Sequence, residues 1–251
     1  AWLRGIRMVL MEPNATAGMT NRWMGRMVDR ALVSFPETAA QFPRGKAEIT
    51  GLPVRDEFFA IPARPRTGPL NILITGGSRG SRRLNQAAQA SWPLFRNAGY
   101  PVRLRHQCGR EEHEQLAAGF AASGLTGEVL PFISDMPAAF AEADVIVCRS
   151  GAGAVSELAA AGKPAILVPF PYAADQHQLR NAEAMVRAGA ARLVADSDFT
   201  GERFVQEIGA LQAAPGALER MGAAARSLAR PGAAARTADI LEQFAGKKDF
   251  D

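Results

Sequence analysis

Residues 144–182 constrain the fold of this chain more than any other part of its sequence. Two short apolar runs, 144–148 and 164–170, are typical of strands that are buried on both faces of a sheet. Between them, the small residues at 150–154 form a turn that opens a helix carrying Glu157 in its early turns. A strand, a Gly-rich turn, a helix and a second strand in this order predict a parallel α/β unit.

The small-residue turn predicts a phosphate site. A turn of this kind exposes backbone N–H groups at a helix N-terminus, where about half a positive charge accumulates. No large side chain in residues 150–154 blocks the approach of an anion. Glu157 follows one or two turns later, and its carboxylate could accept hydrogen bonds from the two neighbouring hydroxyls of a ribose. A diphosphate and a ribose together indicate a nucleotide ligand.

Strands and helices alternate along most of the chain, which predicts two α/β portions with parallel sheets. The first portion holds three apolar segments, at 8–11, 31–35 and 47–50, and a basic helical stretch at 21–30. This is too little for an independent core, so we expect the remainder of a larger domain. The predicted divisions are residues 1–60 for this remainder, 61–69 for a proline-rich linker, 70–230 for a second domain, and 231–251 for a helix and tail that return toward the first domain.

Composition allows anionic partners without specifying them. The chain has 251 residues and a net charge of +4, which suits an anionic ligand or membrane surface but does not indicate nucleic acid. No apolar run reaches the roughly 18 residues of a membrane span. The two cysteines, Cys108 and Cys148, lie near predicted strand ends and are expected to be free thiols of the core.

A second Gly-rich turn lies at residues 76–80, directly after a predicted strand at 72–75. The Ser78 hydroxyl could donate to a phosphate oxygen, although a turn without a ligand is also compatible with this pattern. The glycines do not follow the G-x-G-x-x-G spacing of a dinucleotide site, and no P-loop lysine follows. The next strand ends with Arg105 rather than with an acidic residue, which disfavours NAD and leaves an NADP-like role open.

Three further groups of residues have a functional and a structural interpretation. Arg55 could pair with a phosphate or be a solvated surface residue. The polar segment 175–178, with Asn181, could bind sugar hydroxyls, or Asp175 could simply cap a helix. His106, Cys108 and His113 match no zinc spacing, so we expect no metal site there.

Several blocks, taken in order, resemble the MurG family of bacterial glycosyltransferases. These are EPNATAGMTNR, GLPVR, GGSRGSRRLN, RHQCGRE, PFISDM, CRSGAGAVSELAAAGKPAILVP and AADQHQLRNA, which together run through nearly the whole chain. The resemblance implies a GT-B fold: two Rossmann-like domains with parallel sheets, the N-terminal one incomplete. It also implies transfer of N-acetylglucosamine from UDP-N-acetylglucosamine to lipid I, giving lipid II for peptidoglycan synthesis, by an inverting mechanism.

The resemblance implies donor-binding roles for Asn14, Arg55, Ser78, Ile133, Ala152, Gly153, Ala154, Val155, Glu157, His177 and Gln178. Ile133 would receive the uracil through its backbone, and Glu157 would hold the ribose. Ser78 and the turn at 152–155 would cradle the diphosphate, with Arg55 reaching it from across a cleft. Gln178, beside His177, would bind the sugar.

The N-terminal residues receive more limited roles from the resemblance. Asn14 would face the sugar, and Trp2 falls in a membrane-facing patch. Glu12 is one candidate for the catalytic base; the alternative is a base in the family's N-terminal segment, which would also hold the principal acceptor-site residues. The family's N-terminal Gly-rich loop has no counterpart in this sequence, so we expect a chain that binds the donor and is inactive alone. Departures from the family pattern are Met11, Pro13, Leu52, Arg79, Gly153, Ala154 and Gln176.

The expected substrates and surroundings follow from the same resemblance. They are UDP-N-acetylglucosamine as donor, lipid I at an anionic membrane surface, other cell-wall synthesis proteins, no resident cofactor or metal, and a peripheral position on the cytoplasmic face of the bacterial inner membrane. Three alternatives stay open. They are a GT-B transferase with another acceptor, a nucleotide-sugar-binding module without catalysis, and an NADP-dependent oxidoreductase.

Overall fold

The computed structural model describes residues 2–63 and 68–245. The smaller domain contains a parallel sheet in the order β1-β2-β3. A single-turn helix at Trp2–Arg4 precedes it. Its elements are β1 (Val9–Glu12), α1 (Met19–Met24), β2 (Arg30–Val33), α2 (Pro36–Ala39) and β3 (Ala47–Ile49), followed by α3 (Asp56–Phe59).

The larger domain is built on a six-stranded parallel sheet in the order β6-β5-β4-β7-β8-β9. Its elements are β4 (Leu70–Thr75), α4 (Arg82–Arg96), β5 (Val102–Gln107), α5 (His113–Ser123), β6 (Thr126–Leu130), α6 (Met136–Glu142), β7 (Val145–Cys148), α7 (Ala152–Ala161), β8 (Ala165–Leu167), α8 (His177–Arg187), β9 (Ala191–Leu193), α9 (Gly201–Gln212), α10 (Ala217–Ser227) and α11 (Ala233–Ala245). The chain runs outward from β4 through β5 to β6, then crosses back to β7 on the other side of β4 and continues outward to β9. Ligands of such sheets bind where these connections diverge, at the carboxyl ends of the strands.

The central strands are buried on both faces, as their apolar composition predicts. All four residues of β7 are buried, and so is nearly all of β4. The two faces carry separate apolar cores. One core packs Trp92 and Phe204 against the sheet, and the other packs Phe58 and Leu158. Both cysteines are buried and free, which confirms the expectation for Cys108 and Cys148.

The basic helix predicted at residues 21–30 is shorter than expected. Helix α1 ends at Met24, because Gly25 takes the position after it and Arg30 already begins β2. A Cβ atom at position 25 would lie 2.5 Å from the Phe42 ring, so only glycine fits there. Strand β8 is also shorter than the predicted run at 164–170, since Pro169 cannot donate to a strand ladder.

Helix α3 belongs to the packing of the larger domain, although it precedes the linker. Phe58 is fully buried, and its ring meets that of Phe140 edge to face at 5.0 Å. Arg226 of α10 fixes the chain just after α3. Its guanidinium donates to the carbonyl oxygens of Phe59 (3.0 Å) and Ile61 (2.6 Å), and also to those of Ala160 and Ala161 in α7. The segment around α3 is therefore attached to the larger domain.

Helix α11 lies against the smaller domain. The Arg236 guanidinium donates to both carboxylate oxygens of Glu48 in β3, the shorter distance being 2.6 Å. This ion pair lowers the pKa of the Glu48 carboxyl. The guanidinium of Arg7 lies 6.0 Å from the centre of the Phe244 ring. The C-terminal helix thus bridges from one domain to the other.

Candidate functional site

A cavity of about 490 Å³ opens at the carboxyl ends of β4, β5 and β7, where the connections of the large sheet diverge. Its volume suits a ligand of nucleotide size. Seven of the residues predicted for donor binding line it: Arg55, Ser78, Ile133, Gly153, Ala154, Glu157 and Gln178. Asn14, Ala152, Val155 and His177 are not among its lining residues.

The N-terminus of α7 points its first N–H groups at this cavity. Gly151 precedes the helix, no side chain caps it, and the Val155 N–H donates to the Gly151 carbonyl at 3.0 Å. The amides of Ala152, Gly153 and Ala154 precede this first helical bond and remain directed out of the helix. Val155 was expected to take part in phosphate binding, but its N–H closes the first turn and its side chain is buried.

Glu157 lines the cavity as a half-buried carboxylate. Its burial raises the pKa of the carboxyl, and the nearby Arg55 guanidinium opposes this shift. Complete burial, with a smaller contribution from the Glu157 carboxylate, raises the pKa of the Cys148 thiol to about 12, so that thiol stays protonated. The Glu157 carboxyl group therefore lies about one turn along the helix from the exposed amides of α7, with the Arg55 guanidinium nearby.

We expected Arg55 to reach the cavity from across the interdomain cleft. In the structure it approaches from the larger domain instead. It directly precedes α3, and its guanidinium lies 5.2 Å from the centre of the Phe58 ring. Because Phe58 is buried in the larger domain's core, it anchors the arginine beside Glu157. Position along the chain had suggested the opposite side.

The loop after β4 forms another wall of the cavity. Gly76 is required there, because a Cβ atom at this position would lie 2.4 Å from the Ser81 backbone nitrogen. Gly77 has a φ of +83°, which also favours glycine. These two residues turn the chain so that the exposed Ser78 borders the cavity.

The loop after β6 supplies the opposite wall through Phe132 and Ile133. The backbone N–H of Ile133 donates to Gln107 Oε1 at 2.8 Å. Ile133 was expected to receive the uracil through its backbone, and this N–H is already engaged within the protein. The Phe132 ring beside it is 53% exposed and offers an apolar face at the rim.

Residues 175–178 divide between two roles. Gln178 lines the cavity, and its Oε1 accepts a hydrogen bond from the Phe170 N–H at 2.9 Å, which leaves the amide NH₂ as its donor. His177 instead faces the smaller domain, with its ring next to Gly18. Asp175 does not cap α8. Its Oδ2 accepts from the Met19 N–H at 3.3 Å, across the domain boundary.

Asn14 contacts the larger domain through Asn181. The Asn181 side chain is completely buried; its Oδ1 accepts from the Ala15 N–H at 2.8 Å, and its Nδ2 donates to Asn14 Oδ1 and to the Ser150 carbonyl, both at 3.0 Å. This places Asn14 in an interdomain contact next to the small-residue turn.

Glu12, the candidate base, is buried and holds the loop that follows β1. Its Oε1 accepts from the backbone and side chain of Asn14, and its Oε2 accepts from the Gly18 N–H and from Asn21 Nδ2. A general base needs a lone pair directed at the proton that it removes. With both oxygens occupied, this carboxylate organises the loop, which disfavours the expected catalytic role.

Reasoning from the sequence missed two residues of the site, Gln107 and Arg149. Gln107 is the last residue of β5 and lines the cavity. Arg149 directly follows the buried strand β7 and lines the cavity; it donates to Asp196 Oδ1 at 2.5 Å and to Ser81 Oγ at 2.9 Å. The signal was an arginine directly after a fully apolar strand, but its partners are too distant in sequence to be recognised.

The geometry gives little support to the alternatives that need NADP or a metal ion. Arg105, which left an NADP-like role open, pairs instead with Glu128 at 2.5 Å and Glu142 at 2.9 Å. Within residues 2–63 and 68–245, no group of three or more histidines, cysteines or acidic residues could hold a metal ion. None of the helices in these ranges combines the length and apolarity needed to cross a membrane. The side chain of Trp2 lies outside the described part of the structure.

The two domains, their parallel sheets and the cavity at the carboxyl ends of the larger sheet place the chain in the GT-B fold class. The glycosyltransferase family 28 C-terminal domain matches residues 71–244. A solved structure of MurG from Acinetobacter baumannii superposes with a TM-score of 0.84 and 35% identity, covering 96% of this chain and 68% of that one. The chain belongs to the MurG family.

Two relatives carry the same descriptive name, UDP-N-acetylglucosamine--N-acetylmuramyl-(pentapeptide) pyrophosphoryl-undecaprenol N-acetylglucosamine transferase. The protein of Solibacter usitatus is 64% identical over 245 residues, which cover 98% of this chain and 67% of the relative. The protein of Sorangium cellulosum is 42% identical over 241 residues, covering 95% and 60%. The chain thus spans about two thirds of the length of the relatives it matches.

Proposed function

We propose that this chain holds UDP-N-acetylglucosamine in the cavity of its larger domain and presents it for transfer to lipid I. The observation that carries the proposal is the convergence of the N-terminus of α7, the Glu157 side chain and Arg55 on one cavity. Amides and a guanidinium bind a diphosphate, and a carboxylate binds the hydroxyls of a ribose. The name shared by the relatives supports the choice of donor and acceptor.

Each part of the nucleotide sugar has a chemically matched surface. The diphosphate lies over the N-terminus of α7, between Ser78 and Arg55. The ribose hydroxyls donate to Glu157. The uracil lies against Phe132 and the backbone of Ile133, and the Gln178 amide donates to a hydroxyl or acetamido oxygen of the sugar. The roles of Ser78, Glu157 and Gln178 are those that the family resemblance implies. Ile133 keeps its role without its N–H, which Gln107 engages, and Arg55 keeps its role with a new direction of approach.

The reaction transfers the sugar to a hydroxyl of the acceptor with inversion. As the bond to the sugar breaks, negative charge develops on the leaving UDP. The dipole of α7, the Ser78 hydroxyl and Arg55 stabilise this charge without having to reorganise. Loss of one such preorganised donor typically lowers the rate by roughly 10²–10³. Proton removal from the acceptor falls to a group other than Glu12. That the chain alone binds the donor without turnover stays a prediction.

The smaller domain faces the membrane in this proposal. Leu3 and Trp23 are 91% and 65% exposed, and the arginines at positions 4, 22 and 26 are exposed in the same domain. Apolar side chains among arginines suit the interface of an anionic bilayer. This surface supports the proposal that the protein is peripheral to the cytoplasmic face of the inner membrane, where it would meet lipid I.

Calorimetric titration of the chain tests the donor proposal. We expect binding of UDP-N-acetylglucosamine, weaker binding of UDP-N-acetylgalactosamine, and no binding of NADPH. A folded chain that binds neither nucleotide sugar would refute the proposal. Turnover with lipid I separates a transferase from a binding module, and turnover with other acceptors identifies a different transferase.

A separate experiment tests the membrane-facing surface. The chain should sediment with phosphatidylglycerol vesicles and not with phosphatidylcholine vesicles, and Trp23→Ser should weaken this association. Tyr172→Ser is the matched control, because Tyr172 is an aromatic residue of the larger domain that is 85% exposed. Equal loss of binding in both variants would contradict the assignment of this surface.

A further inference from the structure

Gln107 occupies an unusual place in the large sheet. It is the last residue of β5, the strand between β4 and β6, and these three strands end side by side at the cavity. Its side chain is only 1% exposed, yet it lines the cavity. The loop after β4, residues 76–81, carries Ser78 and is called the phosphate-side loop. The loop after β6, residues 131–135, carries Ile133 and is called the base-side loop.

The Gln107 carboxamide is hydrogen-bonded to both loops. Its Nε2 donates to the Gly77 carbonyl at 2.8 Å and to Thr75 Oγ1 at 3.3 Å. Its Oε1 accepts from the Ile133 N–H at 2.8 Å. Because a carbonyl can only accept and an N–H can only donate, these contacts fix which end of the amide faces which loop.

The neighbouring contacts extend this connection into the Gly-rich turn. Thr75 Oγ1, which accepts from Gln107, also accepts from the Gly77 N–H at 3.2 Å. The chain next to Ser78 is therefore held through both the N–H and the carbonyl of Gly77. A carboxylate could not donate to Gly77, an ammonium could not accept from Ile133, and an aliphatic side chain could do neither.

We propose that Gln107 is a positioning residue for nucleotide binding, setting the distance between the loop that meets the phosphates and the loop that meets the base. It touches neither reacting group; it acts through Gly77 and Ile133. A nucleoside diphosphate needs both loops at once, whereas a nucleoside needs the base-side loop and Glu157 but not the phosphate-side loop. The proposal rests on the proposed donor site, and it adds a residue and a role that the expected site lacks.

Two variants separate the contacts of Gln107. Gln107→Glu keeps an acceptor for the Ile133 N–H but replaces the donor to Gly77 with a repulsive oxygen. We expect UDP affinity to fall about 10- to 100-fold in this variant, and uridine affinity to change by less than about threefold. Gln107→Leu loses both contacts, so we expect it to weaken UDP and uridine alike.

The matched control is Gln206→Leu, a glutamine on the exposed face of α9 that lies outside the cavity. UDP and uridine affinities should be unchanged in this variant. Thermal unfolding of every variant shows whether the fold is retained. If Gln107→Leu does not fold, the Ser78→Ala cycle is run in the Gln107→Glu background, because a displaced Ser78 loop gives non-additive losses whereas direct charge repulsion gives additive ones.

A double-mutant cycle distinguishes positioning from general stabilisation. Ser78→Ala should weaken UDP binding in the wild-type background and have little effect in the Gln107→Leu background, because the Ser78 loop is then already displaced. Additive losses, or UDP affinity within twofold of wild type in both Gln107 variants, would overturn the proposal and leave the donor site intact. Failure of the wild-type chain to bind UDP would instead refute the donor site itself.

Discussion

Replacing Glu157 with glutamine should strengthen the ligand-free fold while weakening the donor site. The carboxylate is half-buried in the cavity wall, and burial raises its pKa, so ionisation at neutral pH opposes folding. A group of this kind stabilises the fold most at low pH, and that contribution is lost as the pH rises through its raised pKa. A neutral amide of the same shape avoids this loss. The free energy of unfolding without ligand should therefore stay equal or increase.

The same substitution should weaken UDP-N-acetylglucosamine binding. The Glu157 carboxylate can accept from both ribose hydroxyls, whereas the glutamine amide offers one oxygen and no charge. Loss of one charge-assisted hydrogen bond costs about 1.5–3 kcal/mol, or about 10- to 100-fold in affinity. Lowering the pH toward the raised pKa should weaken binding to the wild type and leave Glu157→Gln unaffected.

Calorimetric titrations at neutral and acidic pH, with urea unfolding of the ligand-free proteins, test both statements. Glu242→Gln, on the exposed face of α11, is the control and should change neither property. A variant that loses stability and keeps wild-type affinity would refute the reasoning, because it would make Glu157 a structural residue.

Three further predictions concern other parts of the larger domain. Ala154→Thr adds a hydroxyl at the N-terminus of α7 and should tighten UDP binding about 3- to 10-fold by calorimetry, whereas unchanged affinity would place the phosphates elsewhere. Burial lowers the pKa of His106 to about 4, so its contribution to the free energy of unfolding is complete above about pH 6.5 and is lost toward pH 4. Urea unfolding should show that the wild type loses about 2 kcal/mol by pH 5. The control His113→Gln should lose the same amount, and His106→Leu should not. Arg226→Lys should lower the free energy of unfolding by about 2–3 kcal/mol, since an ammonium cannot serve four carbonyls, whereas Arg220→Lys on the same helix should be neutral in the same assay.

Local sequence patterns predict the parts of this fold whose causes are local. Strands β4 and β7 follow from their apolar runs, and α7 follows from the small residues before it. Glu157 and Ser78 lie at the cavity because a strand, a turn and a helix place them there. The ends of helices and strands differ from the predicted ends by a few residues where tertiary packing sets the boundary. An example is the end of α1, where Gly25 packs against Phe42.

The sequence does not predict contacts whose partners are distant along the chain. Gln107 meets residues 26 positions later, and Arg149 meets Asp196, 47 positions later. Nothing in the local pattern indicates that a glutamine at a strand end would link two loops. The same limit explains Glu12, whose four hydrogen bonds are visible only after the following loop has folded around it.

In the proposed donor site, the anchoring of Arg55 to the larger domain would separate release of UDP from any movement of the cleft. Because α3 packs beside Phe140, a widening of the cleft carries Arg55 along with Glu157 and the N-terminus of α7. The countercharge of the diphosphate thus stays in place when the domains move apart. Dissociation of UDP then requires the ionic contacts themselves to break, so its rate should respond to ionic strength more than to solvent viscosity.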